Sequence, residues 1–443
     1  MLTFIHLSDL HIGQDGDDVV DRDRDPRSEL IDDCRRVAAE IDGEVSGVLI
    51  SGDIVNSGAS DDYRRAREWL ALLCRTLDVP EENVWTVPGN HDFNRDGRTE
   101  LWHKACDRLR ECAVGEIDTH LRGYLNSQDR YVLLEPLRSY HEFAAGFGCV
   151  PDGPIQIWEE EFELGSGLQL RMVGLNTAIL ADGEETGKGD GLVLGENAVQ
   201  LRRGGEDAFV MAMWHHPLDW LRDQEVAGRY LDARASVHLF GHEHSHCLND
   251  EDNRLTVSAG ALHPRRGDRG WEPRYNFLQF SAAGDTVADG LEVSVIPRVW
   301  DEERTAFASD GGGTVIQSHR FRIGGELSEG ESEASEPSED ESAVNASSES
   351  YRDPEEQASG RVANRRRRLS LMYATLPFVR RVVIAGELGL LDESDREVAG
   401  FEQTRLVLER AARNGRLEDL WAAVALEPGS DEMGINPYAS VAQ

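Results

Sequence analysis

Five short motifs carry the side chains of this chain best suited to chemistry. In order they are Asp9-Leu10-His11, Gly52-Asp53, Gly89-Asn90-His91-Asp92, His215-His216-Pro217 and Gly241-His242-Glu243-His244. Each alone is weak, because Asp-x-His and Gly-Asp are common turns and His-His-Pro reads equally well as a loop. Gly-Asn-His-Asp and Gly-His-Glu-His are more specific, since they crowd imidazole, amide and carboxylate groups where a turn exposes them. All five follow apolar runs that read as strands. Ligands bind outside the carboxyl ends of sheet strands, where loops from several strands converge, so five in succession point to one site.

The donor types indicate metal chemistry. Two divalent cations about 3.5–4 Å apart need a bridging carboxylate, imidazoles and further oxygen donors, with positions left open for water and substrate. Asp53 offers two oxygens and a negative charge for such a bridge. The motifs lack cysteine, which suits Mn, Fe or Zn better than a thiolate site. There is no Walker-type loop and no Gly-x-Ser-x-Gly elbow, so neither a P-loop enzyme nor a covalent serine hydrolase is indicated.

The elements that must position these residues are legible as β-branched apolar runs. Strands are expected at Thr3–Ser8, Gly47–Ser51, Val84–Val87, Leu168–Leu175, Ala208–Trp214 and Ser236–Phe240. Shorter ones follow at Leu255–Ser258, Tyr275–Phe280, Leu291–Ile296 and Thr314–Ile323. Ser28 is placed to cap a helix over Glu29–Ile41, and Ser60 one over Asp61–Leu77, with Tyr63, Ala66, Leu70, Leu73 and Leu77 on one face. Gln14–Pro26, rich in Asp and Arg, reads as a solvated loop near the site. Strand–helix alternation followed by a run of strands implies layered α/β architecture. Residues 98–150 interrupt it with a helix-rich stretch that reads as a packed insertion or a lid.

The motif series resembles the calcineurin-like metallophosphoesterase superfamily, whose pattern is DxH, GD, GNHD, HxP and GHxH, over about residues 1–300. The resemblance implies a four-layered α-β-β-α sandwich with a dinuclear site at its edge. By position, Asp9, His11 and His244 hold one metal with bridging Asp53, and Asn90, His215 and His242 hold the other. In His-His-Pro the family ligand is the histidine two places before proline, hence His215 rather than His216. His91 faces the phosphate as leaving-group acid, oriented by Asp92. The implied reaction is phosphoester hydrolysis by attack of a metal-bridging hydroxide.

Gly52-Asp53-Ile54-Val55-Asn56-Ser57-Gly58 and His215-His216-Pro217 resemble the cyclic-nucleotide and related phosphodiesterase branch, which favours phosphodiesters. Phosphomonoester or nucleotide hydrolysis and DNA nuclease activity are the alternatives; Gly241-His242-Glu243-His244 also resembles the DNA-break nucleases. His246 and Asn56 read as loop residues behind the site.

The whole chain bounds these readings. Its 443 residues carry 46 basic and 83 acidic side chains, a formal charge of −37, and only two lysines, Lys104 and Lys188. Such a surface repels nucleic acid at long range and disfavours it as a broad-surface partner, without excluding a phosphate ester held by cations. No apolar run reaches the roughly 20 residues that span a bilayer. The six cysteines are scattered and the N-terminus opens on a strand rather than a secretory leader, so a reducing cytoplasm is expected.

Composition also divides the chain. Residues 1–323 are expected to form the catalytic domain and residues 324–360, dominated by Ser, Glu and Ala, a disordered acidic linker. Residues 361–443 then form a small, separate all-α domain, opened by Arg365-Arg366-Arg367-Arg368, with helices over Glu402–Asn414 and Leu417–Leu426. Leu376-Pro377-Phe378, Leu388-Gly389-Leu390 and the run from Ala411 to Trp421 resemble the effector-associated, death-like helical adaptors of bacterial conflict systems. That resemblance implies a partner protein with a like domain, and leaves an interaction protein as the reading of another class.

Overall fold

The computed structural model describes residues 1–14, 24–151, 155–183, 191–202, 207–244, 246–251, 254–262, 272–310, 317–321 and 365–428, with 433 and 436–438. The expected linker at 324–360 and most of the loop expected at Gln14–Pro26 lie outside them.

Along the first half run β1 (Leu2–Leu7), α1 (Arg24–Glu40), β2 (Val45–Ile50), α2 (Ser60–Thr76) and β3 (Val84–Thr86). Four helices follow: α3 (Glu100–Glu111), α4 (Ile117–Leu125), α5 (Arg130–Leu134) and α6 (Arg138–Gly146). Next come β4 (Ile157–Gly165), β5 (Leu168–Leu175), α7 (Glu196–Val199), β6 (Ala208–Met213), α8 (Gln224–Arg234) and β7 (Val237–Phe240). The strand-rich part continues with β8 (His246–Glu251), β9 (Arg254–Ala259), β10 (Arg274–Ala282), β11 (Leu291–Asp301), β12 (Ala306–Ser309) and β13 (Gln317–Phe321). Helices α9 (Arg365–Thr375), α10 (Phe378–Glu387), α11 (Gly400–Arg413) and α12 (Leu417–Ala425) close the chain.

Two mixed sheets result, ordered β12-β11-β10-β1-β2-β3, with β13 also on β11, and β4-β5-β6-β7-β9-β8. Strand periodicity builds the layers, because alternate side chains face opposite sides. On β6, Phe209, Met211 and Met213 enter the core between the sheets, while Val210 and Ala212 enter the core shared with α3, α4 and α8. Phe4 of one sheet meets Phe162 of the other edge-on at 5.6 Å. Helices α1 and α2 cover the first sheet through Leu30, Cys34, Leu70 and Leu73. The fold is therefore the layered α/β sandwich with a C-terminal all-α region.

Local expectations shift in instructive ways. Helix α1 starts at Arg24 rather than after Ser28, since Pro26 lies in the first turn, where its missing N–H costs nothing. Ala59, not Ser60, occupies the N-cap position of α2, and Ser60 Oγ instead shares a hydrogen bond with Ser139 Oγ at 3.2 Å. The aromatic residues of the 98–150 stretch serve packing: Trp102 and Leu109 are buried in the second core, and Tyr140, Phe143 and Phe147 in the first.

The C-terminal helices pack on the catalytic part as well as on one another. Helices α9 to α12 have their own core around Leu369, Tyr373, Val407 and Trp421, yet α9 and α11 also pack on α6. Leu371 enters the main core, and Phe401 clusters with Ala145 and Val150. The arginine run that opens these helices contains Arg367, only 5% exposed.

Candidate metal centre

Strands β1, β2 and β3 are mutually parallel, as are β6 and β7, so the five motif loops emerge at one edge of the sandwich. Backbone bonds lace them together. The amide of Asp9 donates to Gly52 O (3.1 Å), that of His11 to Asp53 O (3.0 Å), and that of Gly241 to His215 O (3.1 Å). His242 N donates to Asp9 Oδ2 at 3.1 Å, joining the first loop to the last.

The backbone here is strained. Nine non-glycine residues among those described have positive φ, and five of them are candidate ligands: Asp9, His11, Asp53, His242 and His244. Each such residue costs on the order of 1–2 kcal/mol. The fold sustains this where it aims side chains inward. The motif glycines are fixed by close approach: a Cβ on Gly89 would lie 2.2 Å from Asp53 Oδ1, and one on Gly241 would lie 1.9 Å from Ser8 Oγ.

The side chains converge as the sequence suggests. Donor atoms lie within 4.8 Å of one another in four sets: Asp9, His11 and His244; Asp9, Asp53 and His215; His11, Asp53 and His91; and His215, His216 and His242. Asp53 belongs to two sets and is buried. Asn90 Oδ1 lies 3.2 Å from both His215 Nε2 and His242 Nδ1. His244 Nε2 is 3.4 Å from Asp9 Oδ1, and His11 Nε2 is 3.8 Å from it.

The donor chemistry suits a cation. His215 Nδ1 is 2.8 Å from Ser51 O, so it carries the hydrogen and donates. Its Nε2 then faces two oxygens, Asn90 Oδ1 at 3.2 Å and Asp53 Oδ2 at 3.4 Å. A lone pair there is tolerable only if a proton or a metal cation stands among the three atoms. Consistently, burial works against charge on His215 but Asp53 outweighs it, raising the imidazole to about 9. Burial opposes ionisation of Asp53 too, and His215, His91 and His11 hold it well below the carboxylate range. Burial lowers His11 to about 3 and His242 to about 4, leaving both neutral and competent as ligands.

Asp92 does not orient the His91 ring; that ring's Nδ1 donates to Asn56 O at 3.0 Å. Asp92 instead accepts from the amides of Gly89 (2.9 Å), Ile54 (3.1 Å) and Val55 (3.2 Å) and from Tyr63 Oη (2.8 Å). It staples the Asp53 loop to the Asn90 loop. A carboxylate so buried binds amide donors that have no other partner, which is why it stands behind the site rather than in it. His216 stands beside the site: its ring centroid is 4.7 Å from those of His215 and His242, and its Nδ1 shares a hydrogen bond with Thr177 Oγ1. The doubled histidine was the available signal. Asn56 and Tyr63 act through a carbonyl and a distant helix, for which a linear motif holds no signal. His246 lies on β8, paired with Ala259, and belongs to the sheet.

Comparison with known proteins follows the same division of the chain. The family model for calcineurin-like phosphoesterases matches residues 2–246, more than half of the chain. That for the GTPase-associated adaptor domain matches residues 365–426. An uncharacterized metallophosphoesterase-like protein of Bacillus subtilis (strain 168), YydB, is 23% identical over 337 residues, covering 72% of this chain and 64% of that protein. The match thus spans less than two thirds of that relative. Among solved structures, a predicted phosphoesterase from Streptococcus pneumoniae TIGR4 has 15% identity and a TM-score of 0.28, covering 72% of this chain and 97% of its own. GAP50, the anchor in the inner membrane complex of Plasmodium, has 12% identity and a TM-score of 0.37, covering 73% and 89%.

Proposed function

Because this chain belongs to the calcineurin-like phosphoesterase family, we propose that it hydrolyses phosphodiesters with two divalent metal ions, Mn, Fe or Zn. In this reading Asp9, His11, Asp53 and His244 hold one ion, and Asp53, Asn90, His215 and His242 the other. The observation that carries it is the gathering of these donors from five strand ends, with Asp53 common to two of the donor sets.

Ions bound there supply Lewis-acid charge, which neutralises phosphoryl oxygens and makes water nucleophilic near neutral pH. The protein supplies the rest. Asp9, Asp53 and Asn90 provide oxygen donors on a backbone held by cross-loop hydrogen bonds, so little reorganisation accompanies reaction. The Asn56 carbonyl accepts from His91 Nδ1 and fixes that ring, so that its imidazolium form would present Nε2–H to the departing oxygen and be left neutral after giving up that proton. Asp92 keeps the two loops that carry Asp53 and His91 in register.

Among the described residues no helix is long and apolar enough to cross a membrane, and the cysteines there are free, four of the six being fully buried at 0% exposure. We place the protein in the cytoplasm on that chemistry. The adaptor match supports a second role, in which a partner bearing a helical adaptor recruits this enzyme as an effector in a bacterial conflict system. Phe378, Val379, Val382 and Val383 on α10 are exposed. The test measures metal content and hydrolysis of bis-aryl diesters against aryl monoesters with Mn²⁺. Diester turnover that requires the metal supports the reading; a metal-free chain inert on both refutes it.

A further inference from the structure

The run Arg365–Arg368 has no part in the site chemistry, yet it makes close polar contacts between the C-terminal helices and the catalytic part, as Glu402 of α11 does with Tyr131 and Arg130. Arg367 Nε donates to Glu82 O at 2.9 Å and its Nη2 to Val84 O at 2.7 Å. Its guanidinium lies 4.5 Å over the Trp85 ring, and Nη1 is 3.4 Å from Glu160 Oε2 on β4. Arg368 Nη1 lies 3.3 Å from Glu82 Oε2. One side chain from α9 therefore grips the start of β3 and reaches the facing sheet. Strand β3 runs from there into Gly89-Asn90-His91-Asp92.

A second line of contact converges on the same loop. Ser370 Oγ donates to Ala145 O at 2.8 Å, and the Phe401 ring lies 4.8 Å from that of His141. Both contacts fall on α6. The same helix carries Tyr140, whose hydroxyl donates to Thr86 O at 3.0 Å, and Phe143, whose ring lies tilted against that of Tyr63 with centroids 5.1 Å apart. Tyr63 in turn donates to Asp92. Strand β3 and helix α6 are thus both held by the C-terminal helices, and both bear directly on the residues that set Asn90, His91 and Asp53.

We propose that Arg367 is a positioning residue for the Gly89–Asp92 loop, so that the seating of the C-terminal helices sets the affinity of the site for divalent cations. A partner that draws α9 from its seat would then lower metal occupancy, and one that clamps it would raise it. Planarity and several donors are needed to serve two carbonyls and stack on an indole, which lysine cannot match. Residues that orient metal ligands through others typically affect affinity about 10–100-fold. This proposal rests on the metal reading given above.

The test uses the full chain with Arg367→Ala, Arg367→Lys and Phe401→Ala, the last loosening the α6 contact without touching β3. Mn²⁺ binding is measured by calorimetry, and backbone hydrogen exchange is followed in the metal-free protein. Arg367→Ala is expected to bind Mn²⁺ about tenfold more weakly and to exchange faster over residues 84–92, with 211–216 unchanged. Arg367→Lys and Phe401→Ala should shift both readouts in the same direction by smaller factors, and they carry the test if Arg367→Ala does not fold. Faster exchange confined to α9 and α11, with Mn²⁺ affinity and the 84–92 segment unchanged, would overturn the proposal. A wild-type chain that binds no Mn²⁺ would overturn the metal reading and the affinity claim together, while exchange over 84–92 reads the coupling separately.

Discussion

The backbone amide of His91 donates to Asp53 Oδ1 across 2.7 Å. The residue read as leaving-group acid and the residue read as bridging carboxylate are therefore one hydrogen bond apart. Asp53→Ala removes the bridge and strips the His91 amide of its acceptor. Metal content and turnover are expected to fall together, measured by elemental analysis and diester hydrolysis of the same preparation. Two metals per chain with an undiminished rate would remove Asp53 from the site.

His91→Ala separates proton donation from metal binding. The ring is held by the Asn56 carbonyl, and it contributes no atom to the expected ligand sets. The variant should keep its metal and lose about two to four orders of magnitude in kcat, the range of a positioned acid. The loss should shrink as the leaving group improves. A constant loss across aryl diesters of different leaving-group pKa would mean that His91 positions phosphate instead.

Most of the candidate site was legible because its donor side chains sit within short motifs, each beginning at a strand end. The order of apolar runs placed those ends, and the lack of cysteine narrowed the chemistry. What was not legible acts at a distance in sequence. Tyr63 reads as an ordinary core position of α2, yet its hydroxyl reaches Asp92. Strand β4 is obscured by Glu160, which stands at an inward-facing position between Trp158 and Phe162 and breaks an alternation otherwise kept by Glu159, Glu161 and Glu163. Strands β8 and β12 lie at sheet edges, where little apolar pattern is required. The seating of Arg367 was hidden because a run of four arginines is nearly always a solvated face.

Tyr63→Phe tests the staple behind the site. The substitution leaves the ring on Phe143 and deletes only the donor to Asp92, a hydrogen bond to a charged group worth about 1.5–3 kcal/mol. Urea unfolding should register that loss with metal binding retained. Asp92→Ala should cost more, because the amides of Gly89, Ile54 and Val55 then lose a buried acceptor together. Equal destabilisation by the two variants would show that Tyr63, rather than the amides, accounts for the role of Asp92.

His141 predicts an acid limit to stability. Its ring is buried against Phe401 and neither ring nitrogen has a hydrogen-bond partner among the described residues. Burial lowers its pKa to about 3, against roughly 6.5 in the unfolded chain. The unfolded chain thus binds a proton that the native state refuses. The neutral ring's contribution is complete above about pH 6.5 and declines as pH falls, by about 1.4 kcal/mol for each unit down toward 3. His6, lowered to about 3, and His238, lowered to about 4, steepen the same decline. His141→Phe keeps an aromatic contact to Phe401 and removes one proton's share. Its stability, measured by urea unfolding at pH 7, 6 and 5, should fall less steeply than that of the wild type by about 1.4 kcal/mol per unit below pH 6. Parallel slopes for the two proteins would mean that His141 takes up its proton without leaving the folded state, and that the contact of α6 with α11 is not the acid-sensitive seam of this molecule.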